Sequence, residues 1–309
     1  MSEKKENEKV LVITHGGCPD GTAAGFVMSL KYPDAVVYGA QIRNFAEDKK
    51  LQEIFLGFRK LFIVDYSYPK DVILDFCSHY DSVTIYDHHV TAQKDLVFDE
   101  PPANLKVVFD MNRCGTEICW DEEFGLEPQE QKNPTGPEGP KERRWWIKHI
   151  SDRDLWKWED KNSHAFSEAF SVMGINSTTL RIINEYTLDE IAEMYALGNS
   201  VRQYREKLYT KICESAFITQ FEGYTVYAIN IDIYQSDIGN ILASRPGIDF
   251  AVIYRQDPTS TQRWYISLRG TKKEINLADL AKRLGQRSGT SGGGHPLAAG
   301  YEFVGSTFL

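Results

Sequence analysis

The chain has 309 residues, with 35 Lys/Arg against 44 Asp/Glu, a net charge of −9 and 42% hydrophobic residues. That length suits two domains of ordinary size, and the negative charge argues against a general nucleic-acid-binding surface. Five cysteines, an odd number with no Cys-x-x-Cys pair, argue against a disulfide framework and a cysteine-rich zinc site. The opening residues, MSEKKENEK, are charged rather than apolar. No apolar run approaches the roughly 18 residues that would span a membrane, so the expectation is a soluble, cytoplasmic protein that does not engage a membrane.

Lys9 to Thr14 reads as a buried strand, ending at His15 and a Gly16-Gly17-Cys18-Pro19 loop. A helix follows with Asp20 near its start, and small residues at Ala23, Ala24 and Gly25 allow it to lie close to a sheet. Val36 to Ala40 is a second strand, Asp48 to Phe58 an amphipathic helix, and Lys60 to Val64 a third strand that runs into Asp65. Pro69 is suited to the first position of a helix reaching Tyr80. Ser82 to Tyr86 is rich in strand-forming residues and leads into Asp87, His88 and His89; Leu105 to Phe109 is a fifth strand. This alternation of strand and helix is the pattern of a doubly wound, mainly parallel α/β sheet.

In such a sheet the carboxyl ends of the strands face one way, and ligands bind just beyond them. His15 with Asp20, then Asp65, then Asp87 with His88 and His89 all fall at strand ends. Carboxylates gathered there repel one another unless cations neutralise them. Carboxylate and imidazole together suit a divalent transition metal such as manganese.

Gly115 opens another helix. Residues 128–140 are rich in Pro, Gly and Gln and read as an exposed loop. The pattern resumes at Arg143, and that helix runs into a further acidic cluster, Asp152-Arg153-Asp154, in a partly buried setting suggested by Trp146, Trp156 and Trp158. Leu188 to Phe217 is a long helix with Ile191, Met194, Leu197, Val201 and Leu208 on one face, suited to joining two domains. Tyr224 to Ile231, Phe250 to Tyr254 and Arg263 to Leu268 are strands; Asn276 caps a helix. A glycine-rich stretch from Gly289 to Gly300 precedes a last strand, Tyr301 to Val304. From composition it is either a flexible turn or an anion-binding loop, with Arg269 and His295 as side-chain partners. The segment from Glu222 onward holds nine Lys/Arg and eight Asp/Glu, so it is less acidic than what precedes it. Domains are expected at 9–187 and 221–309, joined by a helical connector over 188–220.

These motifs, His15…Asp20-Gly21, Asp65, Asp87-His88-His89, Asp152-Arg153-Asp154 and Gly292-Gly293-Gly294-His295…Gly300, resemble in order and spacing the DHH phosphoesterase family with its DHH-associated C-terminal domain. The resemblance covers nearly the whole chain. It implies an N-terminal catalytic domain, a smaller α/β substrate-binding domain and a cleft holding two manganese ions, other divalent metals being admissible. One ion would be held by His15 and Asp65, the other by Asp20, Asp65, His88 and one of Asp152 and Asp154. His89 would face the scissile phosphate and Asp87 would orient the histidines. Arg269, Gly292, Gly293, Gly294 and His295 would grip the substrate. Cys18 stands where the family commonly has an aspartate, either as a soft ligand or, the favoured reading, as a small buried residue beside a weakly held first ion.

The activity implied is manganese-dependent hydrolysis of short single-stranded oligonucleotides or of nucleotide phosphates such as pAp, by a protein that could form a homodimer. Alternatives are a pyrophosphatase or exopolyphosphatase, a cyclic-dinucleotide phosphodiesterase, or a nucleotide-binding module whose chemistry has decayed at Cys18. Tyr254, Trp264 and Tyr301 are candidate base-stacking surfaces. Ser-His-Asp hydrolysis is not expected.

Overall fold

The structure is a computed structural model, and it describes residues 9–40, 45–125 and 143–308. The glycine- and proline-rich loop expected at 128–140 lies outside them. The chain forms two compact units that divide between Arg202 and Gln203.

The first unit opens with β1 (Val10–His15), α1 (Pro19–Lys31), β2 (Val36–Ala40), α2 (Lys49–Phe55) and β3 (Lys60–Val64). It continues with α3 (Lys70–His79), β4 (Ser82–Asp87), a short α4 (Val90–Gln93), β5 (Leu105–Phe109) and α5 (Gly115–Phe124). The five strands form one parallel sheet in the order β2-β1-β3-β4-β5. The doubly wound sheet expected from the alternating pattern is therefore present.

Burial on both faces explains the near-continuous apolar strands. Val10, Val12, Phe62, Val64 and Tyr86 pack on one side against α1 and α5. The residues between them, Leu11, Ile13, Leu61, Ile63 and Ile85, pack on the other against α2 and α3. This is the alternation that a two-sided sheet requires. Strand order reverses between β1 and β3, and the crevice beyond the carboxyl ends of those strands is where an open α/β sheet receives its ligand.

Four more helices complete the unit: α6 (Ile147–Asp154), α7 (Ser163–Met173), α8 (Ser177–Ile183) and the long α9 (Leu188–Cys213). Helix α9 crosses the division between the units. Within the first unit it lies so close to α7 that a Cβ on Gly198 would stand 1.8 Å from the Ala165 carbonyl oxygen. No helix among the described residues is long and apolar enough to cross a membrane.

The second unit holds β6 (Phe217–Phe221), β7 (Tyr224–Asn230), α10 (Gln235–Ala243), β8 (Phe250–Asp257), β9 (Ser260–Arg269), α11 (Leu277–Arg287), β10 (Gly292–His295) and β11 (Ala298–Val304). Its six-stranded sheet runs β10-β11-β9-β8-β7-β6, antiparallel except where β7 meets β8. Asn276 caps α11 as expected, its side chain accepting from the amides of Ala278 and Asp279.

Three expectations for this unit need correction. First, Gly292 to His295 is a strand, not a loop or flexible turn, and β11 begins at Ala298. The glycines are required by packing: a Cβ on Gly292 would stand 2.2 Å from the Ala281 carbonyl oxygen of α11. Second, Tyr254, Trp264 and Tyr301 are not open stacking surfaces; they belong to the core between the sheet and α11. Third, residues 217–221 form strand β6, whereas the apolar period predicts helix as far as Phe217.

Candidate metal centre

The proposed ligands of the first unit come from strand ends and two helix ends, the start of α1 and the end of α6. Asp65 follows β3 with φ 53°, a left-handed conformation that aspartate tolerates better than most residues. It is almost wholly buried. One of its oxygens, Oδ1, lies 2.9 Å from His88 Nε2. The other, Oδ2, accepts from Cys18 Sγ at 3.2 Å and lies 3.7 Å from His15 Nδ1. His88 Nε2 is also 3.7 Å from Asp20 Oδ2 and 3.5 Å from Asp154 Oδ2. Among the described residues of the first unit two sets of metal-competent groups result, His15-Asp65-His89 and Asp20-Asp65-His88, each with its ligand atoms within 4.8 Å of one another. They share Asp65.

Helix ends set these positions. Asp20, in the first turn of α1, accepts from the amides of Gly115 and Thr116 at 2.6 and 2.9 Å. Its carboxylate thus occupies the positive end of α5, where unpaired amides and the helix dipole favour an anion. Gly115 must lack a side chain, because a Cβ there would lie 2.6 Å from that of Asp65. Gly21 is constrained in the same way by the His15 carbonyl oxygen, 2.2 Å from its notional Cβ.

Asp87 supports the histidines that follow it. Its Oδ1 accepts from the backbone amides of His88 and His89 at 2.8 and 3.2 Å and lies 2.7 Å from His89 Nδ1. As the ionised Asp87 is an acceptor, His89 Nδ1 carries the proton, and the tautomer leaves Nε2 turned away from Asp87. Burial would raise Asp87, but the charge and hydrogen bond of His89 hold it below the usual carboxylate range.

The charges are strongly coupled. Burial pushes Asp20 up to about 6, and Asp65 adds to the push. Burial, then the negative charge of Asp20, pushes Asp154 well above the carboxylate range. Burial would raise Asp65 too, but the nearby imidazole of His15 and the hydrogen-bonded imidazole of His88 hold it well below that range. Burial alone would lower His88; the Asp65 hydrogen bond and the charge of Asp154 raise it to about 10. His88 thus stands as the cationic partner among three acidic side chains.

The fit to divalent ions can be tested on the donors themselves. The Oδ2 atom of Asp154 is shielded from solvent and makes no hydrogen bond. A shielded carboxylate oxygen without a donor is costly unless something cationic meets it. The carboxylate and imidazole donors match manganese, iron or zinc.

Asp152 and Asp154 take different directions, a choice the sequence leaves open. Two residues along a helix rotate the side chain by about 200°. Asp154 turns to His88. Asp152 turns away, its Oδ2 accepting from the Ser163 hydroxyl at 2.6 Å and the Asp160 amide at 2.7 Å. Ser163 has one proton and gives it to Asp152, so it accepts from His149 Nδ1, 2.9 Å away. His149 Nε2 then accepts from the Tyr195 hydroxyl at 2.7 Å. This buried relay holds α6 against α7 and α9, and Asp152 belongs to it rather than to the metal-competent groups.

Cys18 also departs from its favoured reading as a small apolar residue. Its sulfur caps α1, accepting from the Gly21 amide at 3.0 Å, and it touches Asp65. The signal was its place just before Pro19, because a polar atom one residue ahead of a first-turn proline is an N-cap position. His149 and Ser163 gave no comparable signal, since their pairing depends on helix packing.

In the second unit, Arg269, Ala298 and His295 stand side by side across three adjacent strands. Arg269 donates to the Ser267 and Ser236 hydroxyls and to the Leu268 carbonyl. Gly292, Gly293 and Gly294 line the edge strand, Gly294 at φ 137°. Residues 289–293 also spell Gly-x-Ser-x-Gly. A nucleophile elbow follows a strand and opens a helix; here α11 precedes and β10 follows, so the segment is not one.

Comparison with known proteins agrees with this architecture. Residues 222–305 match the DHHA1 domain model. An uncharacterised protein of Acanthamoeba polyphaga mimivirus is 24% identical over 313 residues, covering 96% of this chain and 68% of that protein. The DHH domain structure of a member of a family of ribosomal proteins superposes with a TM-score of 0.61 at 12% identity, covering 96% of this chain and 83% of the other. Exonuclease RecJ bound to manganese gives 0.52 at 13% identity, covering 96% and 86%; at these identities the likeness is one of fold. The second unit thus matches a DHHA1 domain over residues 222–305, and the chain shares the fold of the solved DHH domain and RecJ structures.

Proposed function

We propose that the protein is a divalent-metal-dependent phosphoesterase acting on short oligonucleotides or nucleotide phosphates, with manganese as the first candidate metal. The observation that carries the reading is the convergence of Asp20, Asp65 and Asp154 on His88 Nε2 within 3.7 Å. Two buried carboxylates and a half-buried third gathered at one point favour a bound cation. His15 and Asp65 would hold one ion; Asp20, Asp65, His88 and Asp154 would hold the other, with Asp65 shared. Bound ions would lower the pKa of a water and offset charge developing on the phosphoryl group. Asp87 fixes the His89 ring through Nδ1, and His89 would face the scissile phosphate. In the second unit, Arg269, His295 and the glycine strand would supply phosphate contacts, the guanidinium by its forked geometry.

A panel of pyrophosphate, polyphosphate, pAp, cyclic dinucleotides and a short RNA, each with manganese, cobalt, magnesium or zinc, tests the reading. The expected result is metal-dependent release of mononucleotide or phosphate from the RNA or pAp. Asp65→Ala should lower that rate by at least about 10²–10³-fold, the scale for removing one charge-stabilising group. Turnover of pyrophosphate or polyphosphate alone would move the substrate class to phosphoanhydrides. Unchanged activity in Asp65→Ala would sink the metal centre.

A further inference from the structure

The turn that leaves α6 just after Asp154 carries two tryptophans in an unusual backbone. Trp156 has φ 55° and Trp158 φ 54°. The left-handed region costs a bulky residue roughly 1–2 kcal/mol, and glycine or asparagine would occupy it more cheaply. Two such residues within three positions imply that the indole rings themselves are wanted. Burial does not account for both, because Trp156 retains 37% of its surface.

The rings are held in a fixed arrangement. The Trp158 ring stacks on His164 with centroids 3.7 Å apart and planes within 4°. Trp156 meets Trp158 edge-on at 5.2 Å. The Arg153 guanidinium lies 5.3 Å from the Trp156 ring and 5.5 Å from the Trp158 ring. A delocalised cation against indole faces is attractive. Lys157, between the two tryptophans, donates to the Asn112 carbonyl oxygen, tying the turn to the loop before α5. The platform is also close to the chemistry. Two trans peptide units place the Trp156 Cα within about 7.6 Å of the Asp154 Cα, and Asp154 Oδ2 lies 3.5 Å from His88 Nε2.

We propose that Trp156, backed by Arg153 and Trp158, is a stacking platform for an unpaired nucleobase of the substrate. Indole faces and a guanidinium plane are what sequence-tolerant binders of single strands offer to bases. The exposed indole and the neighbouring cation favour a planar group on an anionic chain. The phosphoesterase reading supplies only the position of the phosphate; base binding is tested apart from turnover.

The test uses the full chain labelled with ¹⁵N at the tryptophan indoles, with magnesium present. The Trp156 signal is assigned by its loss in Trp156→Phe, and the remaining indole signals report that each variant is folded. Titration with AMP should shift the Trp156 signal, while ribose 5-phosphate, which has the phosphate without the base, should leave it in place. In kinetics, Trp156→Ala should raise KM for a short RNA by about 5- to 150-fold, the range of one base–aromatic stack. It should leave KM unchanged for the same strand with an abasic end, and Trp156→Phe should restore most of the loss. A Trp156 signal indifferent to AMP, or a KM that rises equally for both strands, overturns the platform. If AMP shifts Trp156 but no phosphoester is turned over, the platform stands and the phosphoesterase reading falls.

Discussion

Cys18 and Gly115 hold Asp65 from two sides, one through sulfur and the other through the absence of a side chain. In Cys18→Ala the Gly21 amide loses its acceptor at the start of α1, which should cost about 1 kcal/mol, as for other N-caps. Cys18→Ser keeps an acceptor and should retain most of that stability. Urea unfolding of the two variants distinguishes a capping role from simple packing, because packing alone would make alanine the milder change. Gly115→Ala sets a methyl group 2.6 Å from Asp65 Cβ and 3.0 Å from Asp20 Oδ2. Overpacking of this kind costs about 1–3 kcal/mol. It should also displace both carboxylates and weaken manganese affinity by about 10-fold or more, measured by calorimetric titration. Wild-type affinity in this variant would mean that the two carboxylates do not act together.

Helix α6 serves two neighbourhoods, and its relay has a pH signature. Burial and the nearby Lys148 hold His149 down from 6.5 to about 4. Its neutral form is therefore favoured by folding. The contribution is fully present above pH 6.5 and declines as pH falls to about 4, because the unfolded chain takes up the proton first. Over that window the loss approaches about 3 kcal/mol. His149→Gln does not titrate, so the difference in unfolding free energy between wild type and variant should shrink steadily from pH 7 to pH 4. A constant difference would show that His149 is not held neutral. The alternation of strands and helices was legible because strands buried on both faces are apolar throughout, as in β1, β3 and β4. Helix α10 and strand β6 were not, because their apolar residues pack on a local surface that no short-range period reveals. At the site, His15, Asp65 and His88 were legible as strand-end residues. Which of Asp152 and Asp154 faces the cluster was not, because it depends on the rotation of α6.

At the scale of the whole molecule, the chain divides its chemistry between two compact units: the carboxylate and imidazole cluster lies in the first, and the row of Arg269 and His295 in the second. If the cluster is a metal site, it should couple metal to the stability of the first unit alone. The buried carboxylates there now rely on one imidazolium and on raised proton affinities, and bound cations would replace both. A ligand that binds only the folded state stabilises by about 2.7 kcal/mol at 100 times its Kd. For a unit of this size that corresponds to roughly 5–10 °C in Tm. Differential scanning calorimetry with and without manganese should therefore move the transition of the first unit upward by that amount. Asp65→Asn, which keeps the side-chain shape and removes the charge, should abolish the shift. Arg269→Ala, in the other unit, should leave it intact while weakening phosphate binding. A shift that survives Asp65→Asn would mean that the metal binds elsewhere, and the cluster around His88 would then be a structural charge network rather than a catalytic one.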